Sequence, residues 1–136
     1  MSQENVELVK KVMGLFNLAA GGKPTPELLE LFAPDVVIDM TRRVFNPDTY
    51  EGHDGLRRLG REVSEVWGRF HVEPERFIDA GRQVVVIETR RARGRGSEVE
   101  VGMRSGVIWT LQEGKVVRME TDLDPAEALK AAGVSE

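Results

Sequence analysis

FIDAGRQVVVIETRRARGRGSEVEVGMRSGVIWTLQEGKVVRMETDL, residues 77–123, is a series of apolar, β-branched runs broken by short turn clusters. Val, Ile, Thr and Trp fit a pleated, half-buried surface. Asp79-Ala80-Gly81, Gly94-Arg95-Gly96-Ser97 and Glu113-Gly114 supply the turns between them. The pattern predicts strands over 72–78, 83–93, 98–111 and 115–123. Consecutive strands joined by such short turns pair antiparallel.

The chain before this run reads differently. Val6, Val9, Met13, Phe16 and Ala20 recur at helical spacing, and Gly21-Gly22 closes that segment. Thr25 is placed to cap a second helix with Pro26 at its first position, and Pro34 stops it by Phe32 or Ala33. VVIDM, 36–40, reads as a strand. Asp54 is placed to cap a third helix, with Leu56, Leu59, Val63, Val66, Trp67 and Phe70 on one face. After the strands, Asp124-Pro125-Ala126-Glu127 carries a cap, a first-turn proline and a capping-box acid, opening a short last helix that Gly133 ends. Helices followed by a run of strands predict an α+β fold, with helices on one face of a curved sheet.

Composition narrows the function. The 136 residues suit one domain spanning 1–136. A net charge of −4 argues against a general nucleic-acid binder. The chain has no cysteine, so disulfides, thiol catalysis and thiolate metal sites are excluded. No apolar run approaches the ~20 residues a membrane span needs. MSQENVELVKK has no basic region ahead of an apolar stretch, so the expectation is no signal peptide and a cytoplasmic protein. No phosphate loop, dinucleotide fingerprint or nucleophile elbow is present, and His53 and His71 are the only histidines, which predicts neither metal nor cofactor.

LFAPDVVIDM (31–40), YEGHDGL (50–56), FIDAGRQVVVIE (77–88) and IWTLQEGKVVRME (108–120), in this order of elements, resemble the SnoaL-like branch of the nuclear transport factor 2-like superfamily. The resemblance implies an α+β cone. Its curved antiparallel sheet would carry three N-terminal helices on the concave face around a pocket, with a short C-terminal helix. It implies a homodimer through the open sheet face, here carrying Val107, Trp109, Asp39 and Glu120. It also implies a small, mostly apolar metabolite handled without a cofactor, by isomerase, hydrolase or cyclase chemistry. The alternative within the same fold is a non-catalytic ligand-binding or dimerising module.

Two relatives' chemistries are tested by the residues. Ketosteroid isomerase would need its base at Met40, a tyrosine near Leu15 or Phe16, and an oxyanion acid at Gly106, and all three are absent. Limonene epoxide hydrolase would need a tyrosine and an asparagine on the first strand, where the resemblance sets Ile38 and Met40, and an acid on the last, where it sets Thr121. These are pocket positions whose residues depart from that enzyme's. Its Arg-x-Asp falls on Glu88-Thr89-Arg90, with the charges in reverse order.

Parity then gives candidate residues. If Met40 faces inward, Asp39 faces out. A hairpin closing at 94–97 sets Glu88 opposite position 103 or 104, so Arg104 is expected to meet Glu88, with Arg90 on the same face. A carboxylate between two guanidiniums would stay ionised. Glu88 and Arg104 are therefore catalytic candidates, and Asp39 is a third through an entrance cluster with Arg42 and Arg43 at the strand end. Met40, Tyr50, Trp67, Arg90 and Thr121 are the substrate-binding ones. Each has a plainer reading: a surface ladder for Glu88, Arg90 and Arg104, a strand-end ion pair for Asp39 with Arg42 and Arg43, and core for Tyr50 and Trp67.

Overall fold

The computed structural model describes residues 2–18, 23–44 and 46–133. The expected helix closure at Ala20 and Gly21-Gly22 lies outside them. The elements run α1 (Ser2–Leu18), α2 (Pro26–Glu30), β1 (Phe32–Met40), β2 (Asp48–Glu51), α3 (Gly52–Val66), β3 (Trp67–Ala80), β4 (Gln83–Gly94), β5 (Glu100–Gln112), β6 (Lys115–Leu123) and α4 (Pro125–Ala131). The six strands form one sheet in the order β2-β1-β6-β5-β4-β3. Among the described residues no helix is long and apolar enough to cross a membrane.

The expected α+β class is what the chain adopts, and four details are corrected. The sheet is not wholly antiparallel, because β1 runs parallel to β6. A short strand, β2, pairs antiparallel with β1 and sets Tyr50 opposite Ile38, in a stretch between the first strand and the third helix where the sequence pattern placed no element. β1 begins at Phe32 rather than 36, carrying Pro34 where its register against β6 is irregular. The third helix ends at Val66, so Trp67 and Phe70 belong to β3. β3 is an edge strand, which is why Pro74 can lie within it without breaking the sheet.

Caps divide the same way. Asp124 accepts from the amides of Ala126 and Glu127 as expected, and Thr25 Oγ1 accepts from Leu28 N. Asp54 does not cap α3. Glu51 holds that position without a side-chain bond, Gly52 turns the chain at φ +68°, and exposed Asp54 pairs with Arg57 at 2.8 Å. His53 Nε2 instead donates to Phe32 O at 3.0 Å, tying the start of α3 to β1.

Alternation along β4 and β5 sorts two layers. Val84, Val86, Val107, Trp109 and Leu111 join Val9, Val12 and Met13 of α1 and Leu56 and Leu59 of α3 in the main core. Val85, Ile87 and Ile108 point the other way, under Leu123, Ala128 and Leu129. The expectation that Val107 and Trp109 lie on an open face is therefore overturned; both are buried on the helix side. α4 docks so closely on the opposite side that a Cβ on Gly106 would stand 2.6 Å from Ala128 Cβ.

Candidate active site

The helix-side layer does not fill its end nearest the β4–β5 hairpin. A cavity of about 1420 Å³ opens there, larger than the ~300–1,000 Å³ usual for small-molecule sites. α1 lines it with Val12, Met13 and Phe16, and α3 with Leu56, Leu59 and Val63. Ile38, Met40, Trp67, Phe70 and Val72 add apolar wall from the strands. Depth is legible along the inward positions of β5: Val101 and Met103 are 41% and 48% exposed, whereas Ser105, Val107 and Trp109 are 7%, 0% and 3%. The mouth is at the hairpin end and the floor at Trp109.

Into this apolar cavity project Glu88, Arg90 and Asp122. Glu88 and Arg90 are i and i+2 on β4, so both face inward. Arg90 Nε donates to Glu88 Oε2 at 2.9 Å, and Nη1 to Asp122 Oδ1 at 3.2 Å. All three side chains are nearly buried, Glu88 most of all. Burial raises the Glu88 pKa; Arg90 opposes that and the Asp122 carboxylate adds to it, so the net direction is upward. The flanking carboxylates hold Arg90 firmly charged, against the pull of its own burial. The expectation of a Glu88 kept strongly ionised by two guanidiniums is thus reversed. One guanidinium is shared by two carboxylates.

Asp122 was not anticipated. Gly106 pairs with Leu123 and Ile108 with Glu120, so Val107 alone faces both Thr121 and Asp122. This is a β-bulge, and Asp122 occupies it at φ +63°. The extra residue lets Asp122 face the cavity although strict alternation would assign that to Thr121. Thr121 is fully buried, does not line the cavity, and donates its hydroxyl to Asp122 Oδ2. The only sequence signal was Asp itself, one of the few residues that tolerate left-handed backbone.

The remaining candidates are placed as follows. Arg104 pairs across the ladder with Thr89, not Glu88, and its Nε reaches Glu75 on the outer face at 3.0 Å. Ser105 is the true cross-strand partner of Glu88. A one-residue error in register moved the guanidinium to the other side of the sheet. Asp39 faces outward, where it accepts from the Thr41 hydroxyl and amide and from Arg118 at 3.1 Å; the Thr41 bonds chiefly lower its pKa. Arg42 and Arg43 do not join it. Arg42 pairs with Glu127 of α4. Arg43 lines the mouth and donates to Tyr50 Oη at 3.0 Å. Tyr50 is fully buried behind the wall, its hydroxyl donating to Glu62 at 2.5 Å and its ring covered by Arg58 at 4.1 Å. Burial, chiefly, raises the Tyr50 pKa. Met40 and Trp67 line the cavity directly. Among the described residues no group of His, Cys, Asp and Glu is arranged to hold a metal ion.

The family model described as SnoaL-like domain matches residues 14–119. The chain belongs to the SnoaL-like family. No curated protein matches it at a significant level. Solved structures resemble this SnoaL-like chain over nearly all its length. A nuclear transport factor 2-like protein of unknown function from Burkholderia pseudomallei is 25% identical, with a TM-score of 0.75 over 93% of this chain and 95% of its own. TerC, co-crystallised with polyporic acid, is 24% identical with a TM-score of 0.72, covering 96% and 98%. SalBIII, described as epoxide hydrolase/cyclase-like and tied to pyran ring formation in salinomycin, is 19% identical with a TM-score of 0.70, covering 89% and 92%.

Proposed function

We propose that this SnoaL-like protein is a cofactor-independent acid–base enzyme acting on a small, mostly apolar metabolite, with Glu88, Arg90 and Asp122 as its working groups. The observation that carries this reading is the buried carboxylate–guanidinium–carboxylate cluster inside an apolar cavity. Groups of this kind have little structural reason to sit there, because buried ion pairs seldom repay their desolvation. Asp122, held by Arg90 and Thr121, takes a proton from the ligand or from a water attacking it. Glu88, which burial inclines toward protonation, delivers one to the oxygen that gains charge. Arg90 fixes both carboxylates and offsets the charge that develops between them. Exchange with water at the mouth returns each proton to its starting place. The solved neighbours support a small-molecule ligand: TerC was crystallised with polyporic acid, and SalBIII is described as an epoxide hydrolase/cyclase-like enzyme.

The second reading is a non-catalytic binder of the same ligands. It is favoured by one observation, that Arg90 already satisfies both carboxylates within the protein. Mass spectrometry of the ligand that co-purifies with the protein, followed by its incubation with the enzyme and with Glu88→Gln, separates the two. Conversion by the native protein alone supports the enzyme, and unchanged ligand with both supports the binder. Either way the protein works as a homodimer in this proposal. With Trp109 turned inward, the second copy packs on the polar outer face that carries Asp39, Arg118 and Glu120. A monomeric mass by light scattering at high concentration would remove that part.

A further inference from the structure

An arginine inside a ligand cavity is ordinarily an anion site, because its planar fork matches a carboxylate or a phosphate. Arg90 departs from that in its charge balance. Its guanidinium is buried against two carboxylates, Glu88 and Asp122. With Glu88 ionised the three carry one negative charge in excess, and with Glu88 protonated they are neutral. Neither state leaves positive charge over, so a bound anion would add like charge in a medium that screens it poorly. The donors of Arg90 are nonetheless not all spent. Arginine carries five N–H groups, and the bonds from Nε to Glu88 and from Nη1 to Asp122 use two of them. Nη2 makes no hydrogen bond among the described residues. Nor is it one of their fully buried side-chain atoms without a partner, which are Arg43 Nε, Arg93 Nε, Ser105 Oγ and Trp109 Nε1. Nη2 therefore belongs to the 11% of the Arg90 side chain that stays accessible. Arg90 lines the cavity, and so do its cross-strand neighbours Val72 and Met103, which are apolar.

We propose that Arg90 Nη2 is a ligand-binding donor of the cavity, and that it reads a neutral carbonyl oxygen on a largely apolar molecule, such as a ketone or quinone, in preference to a carboxylate or phosphate. A charged donor strengthens such a bond without requiring charge on the acceptor. The two carboxylates that hold Nε and Nη1 fix the plane of the guanidinium, and with it the direction of Nη2. The inference rests on the reading of the cavity as a ligand site, and holds whether or not the cluster does chemistry.

The test uses 9-fluorenone, its near-isosteric hydrocarbon fluorene, and 9-fluorenecarboxylate as probes. By calorimetry at neutral pH fluorenone is expected to bind about tenfold or more tightly than fluorene, and the carboxylate more weakly than the ketone. In the infrared, the carbonyl stretch of carbonyl-labelled fluorenone is expected to move to lower frequency on binding than in a hydrocarbon solvent. Arg90→Lys keeps a cation for both carboxylates but removes the fork, and is expected to return that band toward its hydrocarbon position and to erase most of the preference for ketone over hydrocarbon. Should this variant fail to fold, a pH series on the native protein decides, because arginine does not titrate. A band that stays shifted from pH 5 to pH 9 supports the guanidinium as donor, and one that relaxes as Glu88 ionises overturns it. Fluorenone bound with an unshifted band, or a carboxylate bound more tightly than the ketone, overturns the inference and leaves the cavity a ligand site. If none of the probes binds, the inference falls together with that reading.

Discussion

Arg90 Nη1 lies 3.2 Å from Asp122 Oδ1, joining two residues 32 apart in the chain through a bulge in β6. The same guanidinium holds Glu88 through Nε. A single cation therefore holds two buried acids in place.

Glu88→Gln keeps the shape and removes the carboxyl group that delivers the proton. Acid–base turnover of any substrate is expected to fall about 100-fold or more, with little change in binding of a neutral ligand. A rate within a few-fold of the native protein would remove Glu88 from the mechanism.

The raised Glu88 pKa also has a signature in stability. Folded Glu88 holds its proton more tightly than the unfolded chain does. Its contribution is thus fully present below the ordinary value of 4.5 and is lost as pH rises through the folded value. Denaturant unfolding of native and Glu88→Gln proteins from acid to neutral pH should show the variant gaining relative stability over that window. A difference between them that does not vary with pH would contradict the shift.

Arg90→Met strands two carboxylates in an apolar cavity. The expected loss is ~3–5 kcal/mol near neutral pH, shrinking in acid as Glu88 protonates. Adding Glu88→Gln to Arg90→Met should restore part of it, because one stranded charge is gone. Equal stability of the single and double variants would mean that the charges are not buried together.

Asp122→Asn retains a residue that accepts left-handed backbone, so folding should survive while any proton abstraction fails. Asp122→Val adds a β-branched side chain at the same φ and should cost stability as well. If Asn and Val unfold at the same temperature, the bulge is not specified by this residue.

Gly106→Ala tests the docking of α4. The added methyl would meet Ala128 Cβ at 2.6 Å, so the helix must shift, at a cost of ~1–3 kcal/mol. Pairing it with Ala128→Gly should recover much of the loss. Unchanged thermal unfolding of the single variant would show that α4 yields freely.

The sequence by itself determined the fold class. Alternation in 83–93 and 115–123 and the turns at Gly81 and Gly114 are local signals, and β4 and β6 follow them within a residue at each end. Asp124 and Thr25 were legible as caps because a cap acts within three residues of itself. The inward pairing of Glu88 with Arg90 was legible for a similar reason, since i and i+2 share a face whatever the partner strand does. What joined them to Asp122, and what sent Arg104 to Glu75, was decided only in the tertiary structure. Register across a hairpin depends on where its turn closes, and a bulge inserts one residue with no change in composition to announce it. Tyr50 and Trp67 moved for the same cause: β2 and the start of β3 exist because neighbouring strands offer their edges, not because four or five residues demand extension on their own.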